Sequence, residues 1–156
     1  MAAEYSNNAV QTVNPGETVV FTEDTIPCAR GFVRHRQGSG NFLLSGWVPS
    51  RRACGCNRNA KAVYKTDFGA NIAIPTGGTV EPISVAITLD GSTLPATNMI
   101  VTPAAVEDFF NVSRATNVSI FRGCCESLAI RNTSSQPILV QNANIVFDRE
   151  DLNLTY

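Results

Sequence analysis

Apolar and polar residues alternate along most of the chain with a period of two residues, which is typical of β-strands and not of helices. The clearest example is Ile83–Leu89, where Ile, Val and Leu alternate with Ser, Ala and Thr. Asp90-Gly91 follows as a turn signal, and the chain returns as another strand from Thr93 onward. Residues 32–36 and 41–44 flank Gln-Gly-Ser-Gly at 37–40, which predicts a β-hairpin.

Turn residues recur between these segments at the spacing of roughly 8–12 residues that is typical of sandwiches and barrels. The pattern predicts an all-β fold, an antiparallel two-sheet sandwich of about eight to ten strands. Only the segment that begins at Pro103 and runs to Asp108 suggests a helical turn. Further strands are predicted at 18–22, 62–66, 71–74, 109–112, 117–121, 127–131 and 138–147.

The length of 156 residues fits one domain. We expect residues 1–8 to form a flexible N-terminal arm and residues 9–156 to form a single domain. The sequence contains no run of about 18 apolar residues, so we expect no membrane span. The formal net charge is −1, which argues against nucleic acid as a partner, because binding to phosphates needs a basic surface.

Charge is distributed unevenly along the chain. Residues 25–66 contain eight Lys or Arg residues and no Asp or Glu, whereas acidic residues cluster near both ends, at Glu17, Glu23, Asp24, Asp148, Glu150 and Asp151. A patch of one sign mainly orients association. We therefore expect Arg51, Arg52 and Arg58 to dock on an acidic surface, and the two acidic ends to form one negative rim.

Residues that could support catalysis are few. His35 is the single histidine, and Arg34 and Arg36 flank it and oppose its protonation. Adjacent carboxylates such as Glu23 and Asp24 point to opposite faces of a strand, so they are not natural acid–base pairs. No glycine-rich loop fits a phosphate-binding motif. We expect no enzymatic activity and no cofactor.

The five cysteines lack the usual Cys-x2-Cys spacing of zinc sites, so we expect no metal. Because neighbouring residues on a strand face opposite sides, Cys124 and Cys125 are predicted to lie in different environments. Both disulfide formation and a fully reduced state remain open. The disulfide candidates are Cys28, Cys54, Cys56, Cys124 and Cys125.

Two segments resemble jelly-roll domains of the tumour-necrosis-factor and complement globular-head superfamily. Residues 83–95, ISVAITLDGSTLP, resemble a strand, an Asp-Gly turn and a return strand; residues 123–134, GCCESLAIRNTS, resemble a late strand. The C-terminal domains of bacterial collagen-like exosporium proteins show the same features, although this chain has no Gly-x-y collagen stalk.

A second resemblance covers nearly the whole chain and is to uncharacterised proteins of gut Firmicutes and their phages. The shared motifs are Ile26 to Cys28, Arg30-Gly31, His35-Arg36, Gly38 to Gly40, Ala70 to Thr79, Thr102 to Val106, Phe109 to Val112, Arg122 to Cys125 and Asn142 to Asn144.

These resemblances imply a jelly roll that forms a homotrimer, and they imply a disulfide from Cys28 to Cys124 or Cys125. The leading hypothesis is a phage virion structural protein, such as a capsid decoration protein or head fibre, whose partners are itself and other virion or particle-surface proteins. The alternatives are a bacterial surface or spore-coat protein, and a lectin-like module for host glycans with Trp47 or Tyr64 as its aromatic platform. Candidates for the shared face are Phe109, Val112, Ile120 and Phe121.

Overall fold

The computed structural model of the protein describes residues 2–48 and 61–149. Within these ranges the chain forms twelve β-strands and a short 3-10 helix, Pro95–Thr97. The strands are β1 (Ala2–Asn7), β2 (Gln11–Val13), β3 (Glu23–Ile26), β4 (Val33–His35), β5 (Phe42–Gly46), β6 (Lys61–Ala73), β7 (Ile83–Leu89), β8 (Ser92–Thr93), β9 (Met99–Val101), β10 (Phe110–Phe121), β11 (Gly123–Asn132) and β12 (Ile138–Arg149). The predicted all-β class is confirmed. Several strands are only two or three residues long, too short to show a periodic pattern of their own.

The strands form two antiparallel sheets. In sheet I the order is β3, β1, β12, β6 and β10, with β2 also paired to β12. In sheet II the order is β4, β5, β11, β7 and β8, with β9 also paired to β7. Strand β1 pairs over its whole length with β12, from Ala2 opposite Asp148 to Asn7 opposite Ala143. Pairing between strands that are far apart in sequence is typical of a jelly-roll sandwich.

The interior of the sandwich is built from the inward residues of both sheets, with an aromatic cluster at one end. The ring of Phe42 lies 4.9 Å from that of Tyr5, 5.1 Å from that of Phe21 and 5.1 Å from that of Phe147, measured between centroids. All four side chains are buried. Tilted aromatic pairs of this kind contribute about 0.5–1.5 kcal/mol each beyond the burial of their surface. The cluster therefore ties β1 and β12 of sheet I to β5 of sheet II.

The N-terminal residues form β1 in place of the expected flexible arm. Ala3 and Tyr5 alternate into the core, as a strand requires. The polar residues of β1 are bonded within the protein: Asn7 Nδ2 donates to the Val20 carbonyl at 3.0 Å, and Ser6 Oγ lies 2.9 Å from Thr25 Oγ1. Burial of such groups is tolerated because their hydrogen bonds are made.

Two predicted strand pairs are each one long strand. Segments 62–66 and 71–74 merge in β6, and segments 109–112 and 117–121 merge in β10. The polar residues between them, such as Asp67 and Ser113, lie on the outward face of sheet I, and the ladder between β6 and β10 is continuous. Outward polar residues in a one-sided sheet do not end a strand.

The expected helical turn at residues 103–108 is also wrong. These residues form bends and turns between β9 and β10, and the Glu107 backbone has a positive φ of 57°. The N–H of Glu107 donates to the Ile74 carbonyl at 2.7 Å, so the loop is fixed to the end of β6.

Candidate interaction surfaces

His35, the residue that a catalytic triad would need, lies with its side chain inside the sandwich. Its Nδ1 is 2.9 Å from Asp24 Oδ1, and its Nε2 is 2.9 Å from the Ser39 carbonyl oxygen. The ring also stacks on Phe42 at 4.6 Å. Because both nitrogens are engaged and the side chain has no solvent exposure, the imidazole joins β3, β4 and the hairpin loop structurally.

The two aromatic residues considered for a glycan platform lie in different environments. Tyr64 is fully buried, and its hydroxyl donates to the carbonyls of Ser45 and Phe32. Trp47 is 53% exposed and stacks on Phe32, with 5.8 Å between ring centroids and an interplanar angle of 24°. The guanidinium of Arg149 lies 4.7 Å over the same Phe32 ring and donates to the Trp47 carbonyl.

The Trp47 ring is therefore exposed to solvent and is held in place by its stacking on Phe32. We call this exposed ring the Trp47 ledge. Beside it lies a cleft of about 300 Å³ lined by Trp47, Val48, Arg122 and Gly123. The ledge offers one aromatic face and a cationic side chain, whereas Tyr64 offers neither to solvent.

The outward face of sheet I is broad and carries mostly small or short side chains. Glu4, Val146, Asp67 and Ala115 form one cross-strand row, and Ser6, Asn144, Gly69 and Ser113 form the next. Most of these residues are half-buried or exposed, and Asn144 Nδ2 donates to Glu4 Oε1 at 2.7 Å. We call these eight residues the sheet I face.

The open edge of the sandwich is more apolar. There β9 of sheet II and β10 of sheet I lie next to each other without a further strand beyond either in the described part of the chain. Ile100 is 64% exposed and Phe110 is 38% exposed. A groove of about 480 Å³ runs between the two strands, lined by Asn98, Met99, Ile100, Asn111, Val112, Ser113 and Arg114.

The four residues proposed for a shared face do not lie on one surface. Val112 and Ile120 are inward residues of β10 and belong to the core. Phe121 is 61% exposed at the far end of the strand, where the Lys61 ammonium lies 4.6 Å from its ring centroid. Phe109 is half-buried just before β10. Position in a period-two pattern shows which residues share a face, but not which face is inside.

The docking candidates Arg51, Arg52 and Arg58 lie outside the described residues, as do Glu150 and Asp151. The acidic residues that are described do not form the predicted single rim. Asp24 is bonded to His35, and Asp148 lies opposite Lys65 on β6. Strands β1 and β12 do run side by side, but Glu23 and Asp148 pair with opposite ends of β1.

The implied disulfide from Cys28 to Cys124 or Cys125 is absent, and Cys54 and Cys56 lie outside the described residues. Cys28 packs against the core between β3 and β4. Cys124 is exposed and Cys125 half-buried at the start of β11, where a register shift interrupts the pairing with β5. The two cysteines therefore differ in exposure, as predicted from strand alternation, although the register shift between Gly123 and Glu126 spans both of them.

Other kinds of site receive no support within residues 2–48 and 61–149. No group of three or more His, Cys, Asp or Glu side chains in these ranges is arranged to hold a metal ion. The same ranges contain no helix whose length and apolarity would allow it to cross a membrane.

Comparison with solved structures shows the class of fold. The globular domain of zebrafish complement 1qA protein superposes with a TM-score of 0.59 at 13% identity, over 94% of this chain and 92% of that domain. Murine APRIL gives 0.63 at 9% identity, over 95% and 97%. The Eiger TNF of S. frugiperda gives 0.63 at 12% identity, over 100% and 98%.

The protein thus has the jelly-roll fold of TNF-type and C1q-type globular domains, as its sequence motifs indicated. No family model matches the sequence, and no curated protein matches it significantly. At these identities the likeness defines architecture, and function has to be argued from the surfaces.

Proposed function

We propose that the protein is a non-enzymatic structural subunit of a phage virion, such as a capsid decoration protein or head fibre, and that it acts as a homotrimer. The observation that supports self-association is that each molecule has two unlike surfaces. The β9–β10 edge presents Ile100 and Phe110, and the sheet I face presents mostly short side chains.

These two surfaces differ in composition and in position, so a contact between them is heterologous. A heterologous contact forms a closed ring when its rotation closes. Burial of Ile100 and Phe110 against a neighbour would remove apolar surface from water at about 25 cal/mol per Å². The superfamily resemblance of the sequence gives three as the number of copies.

The position of the single histidine supports a structural role for this residue. The histidine is bonded on both nitrogens inside the core, and the open clefts are lined by few groups that titrate near neutral pH. A general base has to reach the proton that it abstracts, and His35 does not reach solvent.

The phage assignment derives from the motif likeness, and the structure gives those motifs a physical role. Gly38 and Gly77 have φ of 80° and 85°, and Asn142 has φ of 54° at the register shift of β12. Left-handed backbone favours Gly and Asn. His35 is the buried link described above. These positions set the course of the backbone, so the shared motifs support a common architecture over nearly the whole chain.

Oligomeric state tests the first half of the proposal. Sedimentation equilibrium at micromolar concentration should give three times the chain mass of 16.7 kDa. Ile100→Arg should shift the protein toward monomer, because it places a charge at the apolar edge. Ile26→Arg is the matched control, because Ile26 is 48% exposed on β3 at the opposite edge of sheet I. A monomeric wild-type protein would contradict the trimer.

Location on a particle tests the second half. Antibody raised against the recombinant protein should label particles purified from an induced lysate of the source strain, as seen by immunogold electron microscopy. Particles without label, with the protein found on intact cells or spores, would replace the virion by the bacterial-surface alternative.

The Trp47 ledge favours one further candidate, binding of host glycans, because sugar rings stack on exposed aromatic faces. Glycan-array binding that is lost in Trp47→Ala and retained in Tyr64→Phe would establish it. The two roles are compatible, since a particle-surface subunit can also carry a receptor site.

A further inference from the structure

The adjacent thiols of Cys124 and Cys125 lie at an irregularity of sheet II. Gly123 pairs with Gly46 and Glu126 pairs with Leu44. Two residues of β11, Cys124 and Cys125, therefore lie opposite the single residue Ser45 of β5. This two-against-one count defines a β-bulge, which interrupts the alternation of a strand and redirects its side chains.

The bulge allows the two sulfurs to approach each other. In a regular strand, neighbouring side chains point to opposite faces and their thiols do not touch. The register shift interrupts this alternation at residues 124–125, and the neighbouring Cys124, more than burial, raises the pKa of Cys125. Cys124 is exposed and Cys125 is half-buried, so a solution reagent reaches Cys124 first.

We propose that Cys124 and Cys125 form a reversible redox site in which the vicinal dithiol closes to a disulfide within the β11 bulge. The co-reactant is a small-molecule disulfide such as oxidised glutathione. This inference rests on the cysteine geometry and is independent of the virion proposal.

The reaction balances in two thiol–disulfide exchanges. The Cys124 thiolate attacks one sulfur of the small disulfide and releases one thiolate, which leaves a mixed disulfide on Cys124. The Cys125 sulfur then loses its proton to solvent, attacks the Cys124 sulfur and releases the second small thiol. In sum, the two protein thiols are oxidised, and one small disulfide is reduced to two thiols.

The resulting bridge should be easy to reduce. Adjacent Cα atoms are about 3.8 Å apart, whereas ordinary disulfides join Cα atoms about 4.4–6.8 Å apart. A bridge outside that range is strained, and strained, exposed disulfides are the labile ones. We therefore expect a switch that opens and closes with the surrounding redox poise, in contrast to a structural staple.

Oxidation of the two cysteines should change the environment of Trp47. Gly123 precedes the pair and lines the same cleft as Trp47, and a Cβ on Gly46 would collide with the Phe121 carbonyl, so the backbones are closely packed at this turn. Ring closure at residues 124–125 should change the surroundings of Trp47, which is the only tryptophan of the chain.

The experiment treats the folded, full-length protein with oxidised glutathione, blocks the remaining thiols by alkylation, and maps tryptic peptides without reduction. Trypsin cleaves after Arg122 and Arg131, so both cysteines fall in the peptide of residues 123–131 with no other cysteine. We expect this peptide to be lighter than the dithiol form by two hydrogen atoms, and Trp47 fluorescence to change in parallel. Mild dithiothreitol should reverse both changes.

Three variants test which cysteines are required for the change. Cys124→Ser and Cys125→Ser should each abolish the lighter peptide and the fluorescence change, whereas Cys28→Ala should leave both intact. Full alkylation of both thiols after oxidation, a lasting glutathione adduct on Cys124, or a crosslink to the peptides of residues 1–30 or 53–58 would each overturn the proposal.

Discussion

Nδ1 of His35 lies 2.9 Å from Oδ1 of Asp24, and this contact joins β4 of sheet II to β3 of sheet I inside the sandwich. The other ring nitrogen faces the Ser39 carbonyl, which can only accept, so Nε2 carries a proton. The flanking residues Arg34 and Arg36 are exposed, so their side chains point away from the buried ring. Alternation along the strand separates the buried ring from its cationic neighbours.

Removal of the carboxylate should weaken the fold. In Asp24→Ala, Nδ1 of His35 loses its partner inside the protein, and an unsatisfied buried polar group costs about 1–3 kcal/mol. We expect a loss of that size in the free energy of unfolding, measured by denaturant titration. Glu23→Ala is the control, because Glu23 is exposed on the same strand; a change at such a site is usually within about 0.5 kcal/mol. Equal effects of the two substitutions would contradict a structural role for the pair.

Tyr5 should make stability depend on alkaline pH. Burial, followed by the influence of Cys28, raises the pKa of Tyr5 from 10.0 to about 12. The folded state therefore holds the phenolic proton at pH values where the unfolded chain releases it, so this contribution to stability is complete below pH 10 and is lost as the pH rises toward about 12.

Denaturant unfolding across that pH range measures the effect. Wild-type stability should fall between pH 10 and about 12. Tyr5→Phe should show a shallower fall, whatever its stability at neutral pH. The control is a Tyr64→Phe series, which keeps Tyr5. An identical slope in wild type and Tyr5→Phe would mean that other groups govern the alkaline limit.

Gly46 should not accept a side chain. A Cβ at this position would overlap the carbonyl of Phe121 and lie 3.0 Å from that of Gly123. Since both are backbone atoms, the β10–β11 turn would have to move, and overpacking of this kind costs about 1–3 kcal/mol. We expect Gly46→Ala to lower the thermal midpoint clearly. Gly69→Ala is the control, because its Cβ would meet only the Val112 carbonyl, at 4.0 Å.

The basic segment should act in association and not in folding. We expect replacement of Arg51, Arg52 and Arg58 by Ser to leave the melting temperature nearly unchanged, because exposed charges contribute about 0–1 kcal/mol per pair. The same variant should bind its particle more weakly and with less dependence on salt. Unchanged occupancy across a salt series would show that these arginines have no docking role.

The sequence by itself determined the class of fold. Period two in Ile83–Leu89, the Asp90-Gly91 turn and the hairpin around residues 37–40 are local features, and the structure contains each of them: Asp90 and Gly91 have φ of 47° and 81°, and Val33 pairs with Leu44. Side-chain alternation and turn chemistry depend only on neighbouring residues, so they can be read without the fold.

Only the tertiary structure decided which face of each strand is inside and which distant residues meet. It placed Val112 and Ile120 in the core, paired the N-terminal residues with β12, and enclosed His35 between Asp24 and Ser39. It also set a bulge at Cys124 and Cys125, where one extra residue on β11 shifts the register with β5. Register between strands far apart in sequence is a property of pairing, and the sequence of one strand does not contain it.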